Sequence, residues 1–299
     1  MQYNPLGQSQ IKISAIGLGC MSLKSDNEKT SLQIIDTAID AGVNYFDTAD
    51  LYEFGNNEIL LGKALKNKRK DVVIASKVGN KWSDGKSDWT WDVSKAYIQK
   101  AIEDSLIRLQ TDYLDLYQIH GGTNQDNYDE VVDTLEKLVT EGKIRTYGIS
   151  SIRPNVFLKY AKSSAIVSNL MQYSLLDTRP EDYLAELKNN GVSVLSRGAL
   201  AQGLLLDKPA KKYLLHSEEE VKSVQEIVQE LADKYGISKQ AIALSYVLQE
   251  PAIASAVIGV RTTQQMDELL QAYTELNNTV VDFSAIQLEH KIKYQEHLV

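Results

Sequence analysis

Short apolar runs alternate with amphipathic stretches eight times along this 299-residue chain, and that alternation leaves few folds open to it. A short apolar run bounded by turn residues reads as a buried strand, while apolar residues recurring every three or four positions read as a helix with one covered face. The strand-like runs are residues 15–18, 43–46, 72–76, 114–119, 144–149, 166–171, 192–195 and 254–258. Helical periodicity falls between them at 30–41, 57–65, 93–109, 128–141, 154–162, 181–190, 221–234 with 239–248, and 264–274. Repeated strand–helix pairs give parallel strands with helices outside, and eight pairs predict a closed (β/α)8 TIM barrel. Ala41-Gly42, Glu141-Gly142, Asn190-Gly191 and Tyr235-Gly236 put glycine where a left-handed cap ends a helix, marking short loops at the barrel bottom. Upstream, residues 2–4 and 11–14 flank a Leu6-Gly7-Gln8 turn, the pattern of an N-terminal β-hairpin plugging that bottom end. No repeat array or low-complexity tract interrupts the chain, so a single barrel domain over 1–299 is expected.

Composition narrows the partners. Charged residues make up 24% and hydrophobic residues 43%, ordinary for a globular chain. No apolar run approaches the roughly 20 residues of a spanning helix, and Met1 to Gly7 lack the basic-then-apolar pattern of a secretory signal. The one cysteine, Cys20, suits a reducing compartment, so a cytoplasmic location is expected. A net charge of −8 disfavours nonspecific nucleic-acid binding. The four histidines, His120, His216, His290 and His297, share no metal-ligand spacing with cysteine. Nucleic acid, membrane and metal are therefore not expected partners.

Four polar residues fall at or just past the ends of three consecutive strand-like runs. Asp47 and Tyr52 follow the second run, Lys77 follows the third, and His120 follows the fourth. In a parallel sheet the carboxyl ends of the strands form one rim, where active sites lie, so these side chains converge. An acid, a phenol, an amine and an imidazole are groups suited to proton transfer. A phenol ordinarily titrates near 10; a neighbouring Lys77 ammonium is expected to lower that value, and Asp47 to keep Lys77 charged and oriented. His120 would aim a substrate carbonyl. Singly, each residue reads more readily as a solvated strand-end group than as a catalytic one; four on adjacent strands do not.

The loops on that rim are long. Trp82, Trp89 and Trp91, all the tryptophans of the chain, share one loop with Asp84, Gly85, Lys86 and Ser87. They read either as an apolar wall over a pocket or as anchors packing the loop down. A second connection, residues 198–220, has the length of a lid. Gly17-Leu18-Gly19-Cys20-Met21-Ser22 lacks the third glycine and the helix of a dinucleotide fingerprint, and no phosphate-binding loop is present. A different anion site is legible at Ile258-Gly259-Val260-Arg261-Thr262-Thr263, where a strand meets a helix start beside a forked guanidinium. Capping of that helix by Thr262 or Thr263 explains the same residues without a ligand.

These motifs resemble those of the aldo-keto reductases over nearly the whole chain, and the wording of residues 197–205 resembles a bacterial branch with poorly assigned substrates. Phe46-Asp47-Thr48-Ala49-Asp50-Leu51-Tyr52 is similar to the family segment carrying the acid and the catalytic tyrosine. Ile74-Ala75-Ser76-Lys77 matches the lysine segment, and the blocks at 105–109 and 113–120 match those ending in the histidine. The resemblance implies NADPH laid across the barrel top, a small-molecule carbonyl substrate reduced to an alcohol, and Tyr52 donating the proton. It implies cofactor contacts from Gly19, Cys20 and Met21, from Ser150 and Ser151, from Arg197, Gly198, Leu200 and Gly203, and from Gly259, Arg261, Thr262, Gln265 and Glu268. Arg261 would grip the adenosine 2′-phosphate, giving NADP preference, and Trp82, Trp89 and Trp91 would border the substrate. Four positions depart from the family pattern: Ser151 replaces an asparagine, Leu170 a glutamine that contacts the carboxamide, Arg197 a ring that stacks on nicotinamide, and Leu269 an asparagine near adenine. The potassium-channel β-subunits share this fold and tetrad, so a nicotinamide-sensing regulatory protein is the competing reading. That reading goes with a long N-terminal extension for tethering, which is not expected here, so the enzyme is favoured.

Overall fold

The computed structural model describes residues 1–82, 88–276, 279–283 and 292–295. Twelve strands are defined among them: β1 (Tyr3–Pro5), β2 (Lys12–Ser14), β3 (Ile16–Gly19), β4 (Tyr45–Asp47), β5 (Val73–Val78), β6 (Asn80–Lys81), β7 (Thr90–Trp91), β8 (Leu114–Ile119), β9 (Ile144–Ile149), β10 (Ser168–Gln172), β11 (Ser193–Arg197) and β12 (Ile253–Ile258). Eight of these, β3, β4, β5, β8, β9, β10, β11 and β12, run parallel in that order and close into a barrel when β12 pairs with β3. The helices are α1 (Glu28–Asp40), α2 (Asn56–Leu65), α3 (Lys95–Leu109), α4 (Tyr128–Thr140), α5 (Pro154–Ser163), α6 (Glu181–Asn189), α7 (Glu218–Tyr235), α8 (Lys239–Leu248) and α9 (Thr263–Glu275). The predicted (β/α)8 barrel is the observed fold. Among the described residues no helix is long and apolar enough to cross a membrane, and no group of three or more metal-ligating side chains is assembled.

Alternation along each barrel strand sorts its side chains. Tyr45, Ala75, Leu116, Leu170, Leu195 and Val257 point inward and pack with Leu6 and Ile13 of the β1–β2 hairpin, which plugs the bottom as predicted. Phe46, Ile74, Tyr117 and Met171 point outward into the layer beneath the helices. Gly42, Gly142, Gly191 and Gly236 all adopt the left-handed conformation that ends a helix. The barrel is thus sealed below, and polar inward positions are left for its upper rim.

Differences from the sequence expectations are concentrated at element ends. The helix of the third barrel unit starts later than the period suggests, because Ser94 caps α3 by accepting from the Tyr97 amide. The helix expected from 221 begins at Glu218, where Ser217 and Glu220 form a reciprocal capping box. β11 runs on to Arg197 rather than stopping at 195, because it pairs with both β10 and β12 to that level. The β6–β7 hairpin was not foreseen; its two-residue strands are too short to show a period. Asp84, Gly85, Lys86 and Ser87, and likewise His290 and His297, lie outside the described residues.

Candidate active site

Asp47 is the last residue of β4 and Lys77 the fifth of β5, and both point inward at the top of the barrel with almost no exposure, 3% and 0%. Lys77 Nζ donates to Asp47 Oδ1 at 2.6 Å, to the Thr48 carbonyl at 2.6 Å and to Tyr52 Oη at 3.5 Å. An ammonium has three N–H bonds, so this set saturates it. His120 follows β8, its ring edge-on to Tyr52 with centroids 5.9 Å apart. The four residues singled out in the sequence are brought together.

Tyr52 is delivered by a sharp bend. Glu53, Phe54 and Gly55 adopt φ of 49°, 50° and 87°, a left-handed run that costs roughly 1–2 kcal/mol for each residue bearing a Cβ. Three contacts hold it. The Ser25 amide donates to Glu53 at 3.0 Å, Lys24 pairs with Glu53 at 3.4 Å, and Phe54 packs edge-on against Trp82 at 5.7 Å. At Gly55 an added Cβ would lie 2.8 Å from Arg108 Cδ, so no larger residue fits the bend. Beneath it, Glu58 accepts from Ser76 at 2.5 Å and from Arg108 at 2.7 Å, tying α2 and α3 to β5.

The electrostatics correct one expectation. Lys77 does stabilise the Tyr52 phenolate, but burial of the phenol outweighs it and Asp47 adds to the rise, so Tyr52 holds its proton more tightly than an ordinary tyrosine. Burial opposes the charge on Lys77; Asp47 and Tyr52 together more than offset it, and its proton affinity ends above the usual value. Burial, then Lys77 and Arg197, push His120 down to about 3. At neutral pH the site therefore holds a charged lysine, a neutral imidazole and a protonated phenol.

The remaining predicted residues surround this cluster unevenly. Gly19 ends β3; Cys20 is buried with its thiol directed at the Leu18 carbonyl, whereas Met21 is 59% exposed. Cys20 thus packs in the core beside Asp47 and presents no side chain to the rim. Ser150 is half-buried, and Ser151 is buried against Asn169, whose Oδ1 accepts its amide at 3.0 Å and whose Nδ2 donates to its carbonyl at 3.2 Å. Leu170 sits in the barrel interior while Gln172, level with Arg197, reaches the rim. Arg197 is exposed, with no hydrogen bond or ion pair from its guanidinium among the described residues, and acts electrostatically on both Tyr52 and His120.

Beyond Arg197, Gly198, Ala201, Gln202 and Gly203 all take positive φ, and Leu200 is half-buried beside them. The long connection is packed rather than open: Leu204, Leu205 and Tyr213 bury against Val224, Val228 and Ile242, and Lys239 pairs with Asp207. Across the mouth, Gly259 abuts the β3 loop, where an added Cβ would meet Ser22 Oγ at 2.5 Å. Thr262 caps α9, its hydroxyl accepting from the Gln265 amide at 3.1 Å, and Gln265 Oε1 accepts from the Arg261 amide at 2.8 Å. Glu268 accepts from Gln264 at 2.8 Å. Arg261 itself is exposed, and its guanidinium makes no hydrogen bond or ion pair among the described residues. Leu269 is fully buried under α9, away from the rim.

The tryptophans do not form one wall. Trp82 stacks against Phe54 and Arg108, Trp89 is half exposed, and Trp91 lies across Gly79 and near Gly121 with its indole donating to Asp126 at 2.8 Å. Trp82 and Trp91 are packed down in the way the anchoring reading expects. The sequence reading passed over Tyr45, Gln118 and Asn169, which bond directly to site residues. Strand alternation placed Tyr45 on the face of Asp47, and that signal alone could have found it.

Comparison with known proteins agrees with this geometry. The chain is 45% identical over 300 residues to the uncharacterized oxidoreductase YqkF of Bacillus subtilis, covering 97% of each chain. Its fold matches the holo form of the aldo-keto reductase AKR11C1 from Bacillus halodurans with a TM-score of 0.90 and 41% identity, over 100% of both chains. An aldo/keto reductase from Klebsiella pneumoniae, solved in complex with NADP and acetate, matches with a TM-score of 0.74 and 26% identity over 92% of this chain and 90% of that one. The family model for the Aldo/keto reductase family matches residues 15–287, and the chain belongs to that family of oxidoreductases.

Proposed function

We propose that this chain, acting as one domain over residues 1–299 in the cytoplasm, uses NADPH to reduce an aldehyde or ketone to an alcohol, with Tyr52 as the general acid. The observation that carries this reading is the state of the four site residues. Lys77 has all three N–H bonds engaged, Asp47 is bound to that lysine, and His120 is neutral above about pH 3. Tyr52 is the one member left with a proton to give, and it keeps that proton at neutral pH.

The rim suits a dinucleotide. Two exposed arginines, Arg197 and Arg261, stand on neighbouring strand ends without anionic partners among the described residues, and Arg261 lies at the start of α9, where amides and dipole favour a phosphate. Beside β12, Met21 is exposed after β3 and Gly259 abuts Ser22 of the same loop. Gly19, Ser150, Ser151, Gly198, Leu200, Gly203, Thr262, Gln265 and Glu268 are carried into this site as contacts, and Trp82, Trp89 and Trp91 as substrate neighbours. Cys20 contributes backbone only. Bound nicotinamide would supply the hydride that reaches the carbonyl carbon.

The residues of the chain do the rest. Neutral His120 donates a hydrogen bond to the carbonyl oxygen and aims it at Tyr52. Tyr52 Oη transfers its proton to that oxygen as the alkoxide forms. The phenolate left behind meets Lys77 at 3.5 Å in a site with little water, where an ion pair is worth more than in solution. Asp47 keeps Lys77 charged throughout. Multiple-turnover assays with a panel of aldehydes and with NADPH and NADH separately test this reading. Steady turnover, faster with NADPH, is expected; tight cofactor retention with a single slow turnover would instead favour the sensing role.

A further inference from the structure

The second oxygen of Asp47 is held as carefully as the first. Oδ1 accepts from Lys77, while Oδ2 accepts from Gln118 Nε2 at 3.2 Å and from Tyr45 Oη at 3.3 Å. Both donors are fully buried and come from different strands, Gln118 from β8 and Tyr45 from β4. Gln118 is level with Lys77 in the β5–β8 register, so its amide arrives at the height of the carboxylate. Its Oε1 has no hydrogen-bond partner among the described residues, so the amide is oriented by what Nε2 gives to Asp47. Tyr45 is seated by β3: a Cβ on Gly17 would lie 2.5 Å from Tyr45 Cδ1, so glycine at that position makes the space for the ring.

A buried ion pair is offset against its desolvation only when the spare lone pairs of the carboxylate are also satisfied. We propose that Tyr45 and Gln118 are positioning residues that neutralise Asp47 Oδ2, hold Oδ1 on Lys77, and thereby set how strongly Tyr52 holds its proton. This inference deepens the reductase reading and uses its assignment of Tyr52. The charged and titratable groups facing Tyr52 are Asp47 from β4, Lys77 from β5, His120 after β8 and Arg197 from β11. Of these, Asp47 disfavours the phenolate, while Lys77 and Arg197 favour it. Withdrawing two donors from Asp47 leaves its negative charge less compensated, so the phenol becomes a weaker acid.

The test uses Tyr45→Phe, Gln118→Met and the double variant, which remove donors at nearly constant volume. In the double variant the alkaline limb of aldehyde reduction should move up by about one pH unit, with kcat lower by roughly ten-fold and KM for the aldehyde unchanged. Each single variant, retaining one donor, should move it less. A readout free of turnover is 19F NMR of cofactor-free protein with 3-fluorotyrosine at position 52, whose titration midpoint should rise in the same order. An unmoved midpoint and pH profile in a double variant that melts like the parent would overturn the proposal. Should the double variant not fold, the single variants decide: midpoints unmoved in both would overturn it equally. A parent protein that fails to turn over while the midpoints shift removes the reductase reading and leaves the positioning role standing.

Discussion

At the ends of β4, β5 and β8 the charged groups are buried and turned toward one another, whereas across the barrel mouth, at and beyond the ends of β11 and β12, they are exposed. Asp47 and Lys77 are almost without exposure and bond to each other, to Thr48, Tyr52, Tyr45 and Gln118. Arg197 and Arg261 are exposed, and their guanidinium groups make no hydrogen bond or ion pair among the described residues. The first region is organised before any ligand arrives, so its dipoles need no rearrangement when charge develops on a substrate oxygen. The second leaves its two guanidinium groups without a protein anion among the described residues, so an anion bound there would not have to displace one of those residues. Damage to the two regions should therefore read out differently, as lost rate on one side and lost affinity on the other.

The sharpest break of that contrast is Tyr52→Phe, which removes the donor and keeps the ring. Carbonyl reduction should fall by roughly two to four orders of magnitude, the usual range for general acid catalysis, with NADPH affinity nearly unchanged. Near-normal turnover at pH 7 would remove Tyr52 from the mechanism. Lys77→Met tests the prebuilt side in a second currency. Leaving Asp47 buried without its cation should cost about 3–5 kcal/mol in denaturant unfolding, and residual activity should show a changed pH dependence. An unchanged profile with only a raised KM would make Lys77 a substrate-binding group.

On the open side, Arg261→Ala should weaken NADPH by roughly ten- to a hundred-fold, about 1.5–3 kcal/mol, and NADH much less, since only NADPH carries the 2′-phosphate. Titrating both reduced cofactors against parent and variant by calorimetry measures the difference; equal losses would place Arg261 on a group common to the two. His120→Gln should slow carbonyl reduction through loss of the aiming hydrogen bond, and its smallest and separable effect is on stability. The folded chain keeps His120 neutral down to about pH 3, while the unfolded chain takes up a proton near its ordinary value of 6.5. The unfolded state thus binds the extra proton inside that window, and stability falls as pH drops from 6.5 toward 3. Removing the imidazole should flatten that fall, by about 1–2 kcal/mol at pH 5. Unfolding curves at pH 7 and pH 5 that keep the same spacing in parent and variant would show that His120 is not the group responsible.

Much of this division was legible in one dimension. Asp47, Lys77 and His120 each follow an apolar run, and parallel strands deliver the ends of such runs to one rim. Arg261-Thr262 before an amphipathic stretch announced a capped helix start, and Thr262 is the cap. Gln118 was hidden because a glutamine inside a strand looks like a packing residue until the register sets it level with Lys77 and beside Asp47, whereas Tyr45 shares the alternation of Asp47 on one strand. Leu269 misled in the opposite direction: its place in the family pattern suggested a missing adenine contact, but the helical period turns it into the core.

The sequence by itself determined the barrel, its sealed bottom, and which residues reach the upper rim, because strand and helix periods, cap residues and apolar run lengths are local properties. The tertiary structure alone decided how those residues share their charge. Whether Lys77 or burial governs Tyr52 depends on distances across three strands and on the exclusion of water, neither of which is encoded in spacing along the chain, and burial prevails. The fates of the three tryptophans were settled the same way, by which neighbour each ring meets: Phe54 and Arg108 for Trp82, solvent on half its surface for Trp89, and Gly79 with Asp126 for Trp91.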